Sequence, residues 1–195
     1  MSQASTSDRP SSAAAGCDID GLATRIQAVG SEMGLPFIAV SSDIGSPEPV
    51  RNSHGQPFAE ALFRWVDPDL RYWEDRGFAL RSFFIQAVRV CAEPFYFSGG
   101  KLATWRDHPG LDAVNINSPA EGFSVGAAII APAYLPGGVI GAVVWASADE
   151  MLAVADIFAE RAPALHALAL RFVAADHDRN TPPAAVAPAP LTRRE

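Results

Sequence analysis

Residues 124–147, SVGAAIIAPAYLPGGVIGAVVWAS, decide the fold. They hold two apolar, β-branched runs, 124–132 and 137–147, joined by AYLPGG. Runs of this length on either side of Pro136-Gly137-Gly138 predict the two strands of a hairpin. Gly126, Gly138 and Gly141 mark bulges or places where another backbone approaches closely. Directly after the second run, Ser147-Ala-Asp-Glu150 has the S-x-x-E spacing of a capping box. It predicts a helix with the stripe Leu152, Ala155, Phe158, Ala162, Leu165 and Phe172. Pro163 lies inside that stripe, where it is expected to kink the helix.

Upstream, helical and extended patterns alternate. Leu22, Ile26, Val29 and Met33 recur at helical spacing, and Gly34 stops that helix. PFIAVSS (36–42) predicts a strand, and the turn-rich residues 43–57 predict a loop. Ala59 to Asp75 carries Leu62, Phe63, Trp65, Leu70 and Trp73, with Pro68 at or near a helix start. Leu80 to Cys91 predicts a buried helix with Phe84, Ala87, Val88 and Cys91 on one face, ended by Pro94. PFYF (94–97) predicts a strand, and residues 98–110 a polar stretch with a short helix around Trp105. Strands bracketed by helices, with an antiparallel pair late in the chain, give an α+β fold: an α-β-α sandwich around one antiparallel sheet.

The folded unit is expected at residues 18–176. Residues 1–17 are Ser/Ala-rich and lack aromatics, so they cannot bury enough surface to offset their ordering entropy. Residues 177–195 contain Pro182, Pro183, Pro188 and Pro190 and read as an extended, mobile Pro/Ala-rich tail.

Composition narrows the function classes. The chain has 195 residues, of which 49 % are hydrophobic, enough for one core. Its 15 Lys+Arg against 22 Asp+Glu give a net charge of −7, which argues against direct DNA binding, since phosphate contacts need a basic face. No apolar run reaches the roughly 18 residues of a membrane span, and the N-terminus lacks a signal-peptide layout. A cytoplasmic protein without membrane contact is the expectation. The two cysteines, Cys17 and Cys91, form neither a disulfide framework nor a metal-ligand spacing. His54, His108, His166 and His177 show no H-x-x-x-H pattern, and no G-x-S-x-G elbow occurs. Gly99-Gly100-Lys101 lacks the remainder of a phosphate loop. Asp67 and Asp69 around Pro68 are explained by capping. No catalytic residue, metal site or cofactor is expected.

The aromatics are concentrated between Phe63 and Trp105. They either fill the core or line an apolar ligand cavity with a few orienting polar groups.

Three blocks carry a family resemblance. Tyr72-Trp73-Glu-Asp-Arg-Gly77-Phe78 is followed by Arg81-Ser82-Phe83 and then Pro94-Phe95-Tyr96-Phe97. The steps of nine from Trp73 to Ser82 and fifteen from Ser82 to Phe97 are similar to the Tyr-to-Asp and Asp-to-Trp intervals of the autoinducer-binding domain of LuxR-type quorum-sensing regulators. Gly126 to Pro132, a glycine turn, then Gly141 to Ser147 and an acidic helix start resemble the last strands and final helix of that domain. The resemblance covers about residues 18–175. It implies a GAF/PAS-like sensor fold that binds acyl-homoserine lactones and dimerises. It places ligand-binding residues at Trp73, Ser82 and Phe97, with Tyr72, Phe78 and Trp105 nearby. The departures are chemical. The family's lactone-holding Trp falls at Asp69, its Tyr at Trp73, its ligand-binding Asp at Ser82, and its indole after P-F at Phe97. The family's helix-turn-helix reader has no counterpart in this sequence.

The resulting expectation is a stand-alone sensing domain for a small, partly apolar molecule, acting in transcription regulation as a homodimer or a heterodimer with a full-length regulator. A ligand-free GAF-like dimerisation or adaptor module is the alternative, and a small enzyme the third reading.

Overall fold

The computed structural model describes residues 18–67, 69, 71, 82–117 and 124–181. The elements are α1 (Ile19–Glu32), β1 (Phe37–Ser41), α2 (Phe58–Ala61), α3 (Phe83–Val90), β2 (Phe95–Ser98), β3 (Lys101–Ala103), α4 (Pro109–Asn117), β4 (Ala127–Tyr134), β5 (Ile140–Ser147) and α5 (Val154–Asn180). The strands form one antiparallel sheet in the order β1-β5-β4-β2-β3. The expected α+β class and the hairpin both stand.

The β4–β5 hairpin is the centre of the sheet. Its register pairs Ala127 with Ser147 and Tyr134 with Ile140. Gly137 and Gly138 adopt φ of +85° and +84°, a backbone that residues with a Cβ rarely take. Both strands are covered on both faces, so they read as apolar runs rather than as an alternation of apolar and polar residues. Ile129, Val143 and Trp145 face α1 and α5, while Ile130, Val144 and the small Ala128, Ala142 and Ala146 face α3 and α4. Gly141 explains itself: a Cβ there would stand 2.7 Å from the Ser41 carbonyl of β1 and 2.6 Å from Val173 of α5.

Asp18 caps α1 by accepting a hydrogen bond from the Gly21 amide at 2.8 Å. At one edge of the sheet, the Ile38 amide donates to the Arg64 carbonyl at 2.8 Å. At the other, Asn115 of α4 takes both free backbone groups of Leu102 on β3, accepting from its amide at 2.8 Å and donating to its carbonyl at 2.9 Å. These contacts cover edges that would otherwise present unpaired groups.

Several expectations are corrected. The helix start expected at or near Pro68 lies outside the described residues, and ahead of it the stretch from Ala59 holds only the single turn Phe58–Ala61. Residues 62–67 wrap around the β1 edge instead, putting Phe63 on one face of the sheet and Trp65 on the other. Pairing with Ile38 and burial of these two rings outweigh helix propensity there. Ser147 does not cap α5. It is the last residue of β5, and its Oγ accepts from the Asp149 amide at 3.2 Å. The helix begins only at Val154. No helix surrounds Trp105: β3 ends at Ala103 and α4 starts at Pro109. α5 is a single helix from Val154 to Asn180, with Pro163 inside it on its exposed side. Its last turn is held by an ion pair of Arg179 with the buried Asp176 at 2.9 Å and by donation from Arg179 to the Arg51 carbonyl.

Candidate functional site

Two aromatic clusters stand on opposite faces of the sheet. On the α3 face, Phe97 of β2 meets Phe83 and Phe84 of α3 edge-on, with ring centroids 5.8 Å and 5.7 Å apart. Alternation puts Phe95 and Phe97 inward on this face and Tyr96 on the other. Ser82 precedes α3 directly. It is buried, yet its side chain makes no capping bond to the helix. The sheet floor beside this cluster is the alanine-rich side of β4 and β5.

Of the six residues singled out for ligand binding, Phe97 lies in this cluster and Ser82 directly precedes Phe83, which packs on it. Tyr72, Trp73 and Phe78 lie outside the described residues. Trp105 does not join this cluster. Its indole packs on Phe158 of α5 with centroids 4.8 Å apart, on the opposite face of the sheet.

Around Trp105 the chain is braced from both sides. Thr104 donates to the Pro94 carbonyl at 2.8 Å, and Arg106 pairs with the Glu93 carboxylate. That bond and the charge of Arg106 hold the Glu93 carboxyl below its ordinary range. Trp105 itself is 53 % exposed. It overhangs an open groove of about 540 Å3, with Tyr96 on its own side and Ala155, Phe158, Ala159 and Pro163 of α5 on the other. Sequence reasoning missed the α5 wall because nothing local ties residue 105 to residue 158. The available signal was a Trp flanked by the polar Thr104 and Arg106.

The chemical groups elsewhere serve structure. His108 accepts from the Leu111 amide at 3.3 Å, at the start of α4. Asp67 accepts from the Asp69 amide at 3.0 Å. Gly99 and Gly100, with φ of +56° and +78°, form the β2–β3 turn. Cys91 is fully buried; burial pushes its thiol upward in pKa, and its Sγ donates to the Glu93 carbonyl at 3.3 Å. No group of three His, Cys, Asp or Glu that would hold a metal ion occurs among the described residues, and no helix among them is long and apolar enough to cross a membrane. No family model matches the chain, and no curated protein or solved structure matches it either.

Proposed function

We propose that this chain is a small-molecule sensing domain of the kind its resemblance to LuxR-type autoinducer-binding domains implies. A small, partly apolar ligand sits on the α3 face of the sheet, with Ser82 as its polar anchor and Phe97 as a wall. Binding shifts the population of a state that engages a partner, a transcriptional regulator or a second copy, through a dimer face. The observation that carries this reading is Ser82: a buried hydroxyl free of capping duty, directly ahead of the Phe83–Phe84–Phe97 cluster. The same geometry favours binding over catalysis, since Cys91 is buried with a raised pKa and His108 is engaged in capping.

Typical acyl-homoserine lactones are expected to bind weakly. Ser82 stands where the resemblance puts a carboxylate. A charge-assisted hydrogen bond of about 1.5–3 kcal/mol is replaced by a neutral one of about 0.5–1.5 kcal/mol. Native mass spectrometry of the protein purified from its own host tests the sensing role. A co-purifying small molecule that is lost in Ser82→Ala supports it. A protein carrying nothing, with no thermal shift in a metabolite screen, favours the second reading, a ligand-free adaptor. That reading is favoured by the edge-on packing of Phe83, Phe84 and Phe97, which is how rings fill a core.

A further inference from the structure

The outward face of α5 is apolar and small in its middle. Ala159, Pro163, Ala164 and Ala167 are all exposed there, and none is large enough to hold a neighbouring helix away. At about 100° per residue, the face has two edges. Ala159 and Leu170 lie on the edge next to Trp105, and Glu160 and Arg171 on the other. Leu170 is 39 % exposed, an apolar knob on the surface. Trp105, packed on Phe158 and 53 % exposed, overhangs the open groove of about 540 Å3 whose α5 wall includes Ala159 and Pro163. Arg171 is exposed and has no ion-pair partner among the described residues. Glu160 meets its neighbour Arg161 at 3.1 Å.

This pattern is self-complementary. Ala159 to Leu170 is a step of eleven residues, and Glu160 to Arg171 is the same step. Eleven residues are close to three full turns, so the members of each pair share an edge and stand about 16 Å apart along the helix. One two-fold axis crossing α5 near residue 165 therefore exchanges the members of both pairs at once. It lays a second α5 antiparallel on the first and keeps each edge on its own side. Ala159, in the groove beside Trp105, then meets the partner's Leu170. Glu160 meets the partner's Arg171, and Pro163 meets the partner's Ala167. A parallel arrangement would set Glu160 on Glu160 and Arg171 on Arg171, which like-charge repulsion opposes. We propose that the outward face of α5 is the seam of an antiparallel, two-fold symmetric homodimer, with Leu170 of each protomer seated in the Trp105 groove of the other and a Glu160–Arg171 pair on the opposite edge. The pairing needs no ligand and does not rest on the sensing role proposed above.

Sedimentation equilibrium of the full 195-residue chain tests this, and a dimer is expected. Leu170→Glu brings a carboxylate into the apolar groove and is expected to weaken dimerisation about tenfold or more. Glu160→Arg and Arg171→Glu, each alone, set like charges against each other and are expected to weaken it too. An equimolar mixture of these two single variants is expected to associate more tightly than either alone, because the mixed dimer has opposite charges at both contacts. All three positions are exposed, and a circular dichroism spectrum matching the parent shows that a variant is folded. On dilution of the parent, the indole N–H resonance of Trp105, identified by Trp105→Phe, is expected to move while that of Trp145, buried in the sheet, stays in place. A parent that is monomeric at every concentration overturns the proposal. So does a dimer that tolerates Leu170→Glu, a mixture no tighter than its components, or a Trp105 signal that stays fixed as the dimer dissociates. None of these results touches ligand binding at Ser82, which lies on the other face of the sheet and is read by mass spectrometry.

Discussion

The indole Nε1 of Trp145, in the middle of β5, donates to the carbonyl of Ile26 on α1 at 3.0 Å, joining residues 119 positions apart inside the core. Both residues are fully buried. The bond orients a fully buried indole and ties α1 to the sheet through a polar contact. Trp145→Phe removes the donor and leaves part of the indole volume empty. It is expected to cost about 2–3 kcal/mol, combining a hydrogen bond with a small cavity. The midpoint of urea unfolding measures this; an unchanged midpoint would show that the contact contributes nothing.

The same contact makes Gly30 a fixed point. A Cβ there would stand 2.7 Å from the Leu35 carbonyl and 2.8 Å from Cδ1 of Trp145. Gly30→Ala gains helix propensity of roughly 1 kcal/mol. The clash with backbone outweighs that gain, so a net loss of about 1–3 kcal/mol is expected. A Gly30→Ala protein that melts higher than the parent contradicts this close packing.

Ser82 and Phe97 are expected to respond differently. Phe97→Ala strips a ring from the Phe83–Phe84–Phe97 cluster and is expected to cost about 3–5 kcal/mol. Ser82→Ala sacrifices no capping bond and is expected to stay within about 0.5 kcal/mol of the parent, below the usual cost of losing a cap. Thermal and chemical melts of the two variants decide. A Ser82→Ala loss as large as that of Phe97→Ala assigns the hydroxyl a structural role.

Acid is expected to loosen the loop at Ser53. Asp20 of α1 accepts from the Ser53 amide at 3.2 Å. Hydrogen bonding from Ser53, assisted by the charges of His54 and Arg179 and opposed by partial burial, lowers the Asp20 carboxyl below its ordinary 3.8. A carboxylate depressed in the folded state contributes stability that is complete above the unfolded value. That contribution fades as pH falls below 3.8 through the folded value. Asp20→Asn is therefore expected to flatten the fall in melting temperature between about pH 5 and about pH 3. Parallel profiles for variant and parent would remove Asp20 from the acid response.

Cys91 is expected to resist thiol reagents in the folded protein. It has no exposed surface, and burial raises its pKa, so the reactive thiolate is scarce at neutral pH. Its modification should follow unfolding, accelerating with urea in step with the loss of structure. Peptide mapping after alkylation reads the site, and rapid labelling of Cys91 in native buffer contradicts the packing at the end of α3.

What was legible in the sequence was local. The hairpin of residues 127–147 follows from two apolar runs around a proline and two glycines, and the α1 stripe from its spacing. Each pattern is set by neighbours a few residues apart. The buried Ser82 and Phe97 were legible as residue types at an interval. Strand order, the unwinding of residues 62–67, the true start of α5 and the face on which Trp105 lies were decided by tertiary structure. Each depends on a partner far along the chain: Ile38 with Arg64, Leu102 with Asn115, Trp145 with Ile26, Trp105 with Phe158. Local propensities are worth tenths of a kcal/mol per residue, whereas burying a Phe or Trp side chain is worth about 1.5–3 kcal/mol or more, so where the two conflict the distant contact sets the conformation.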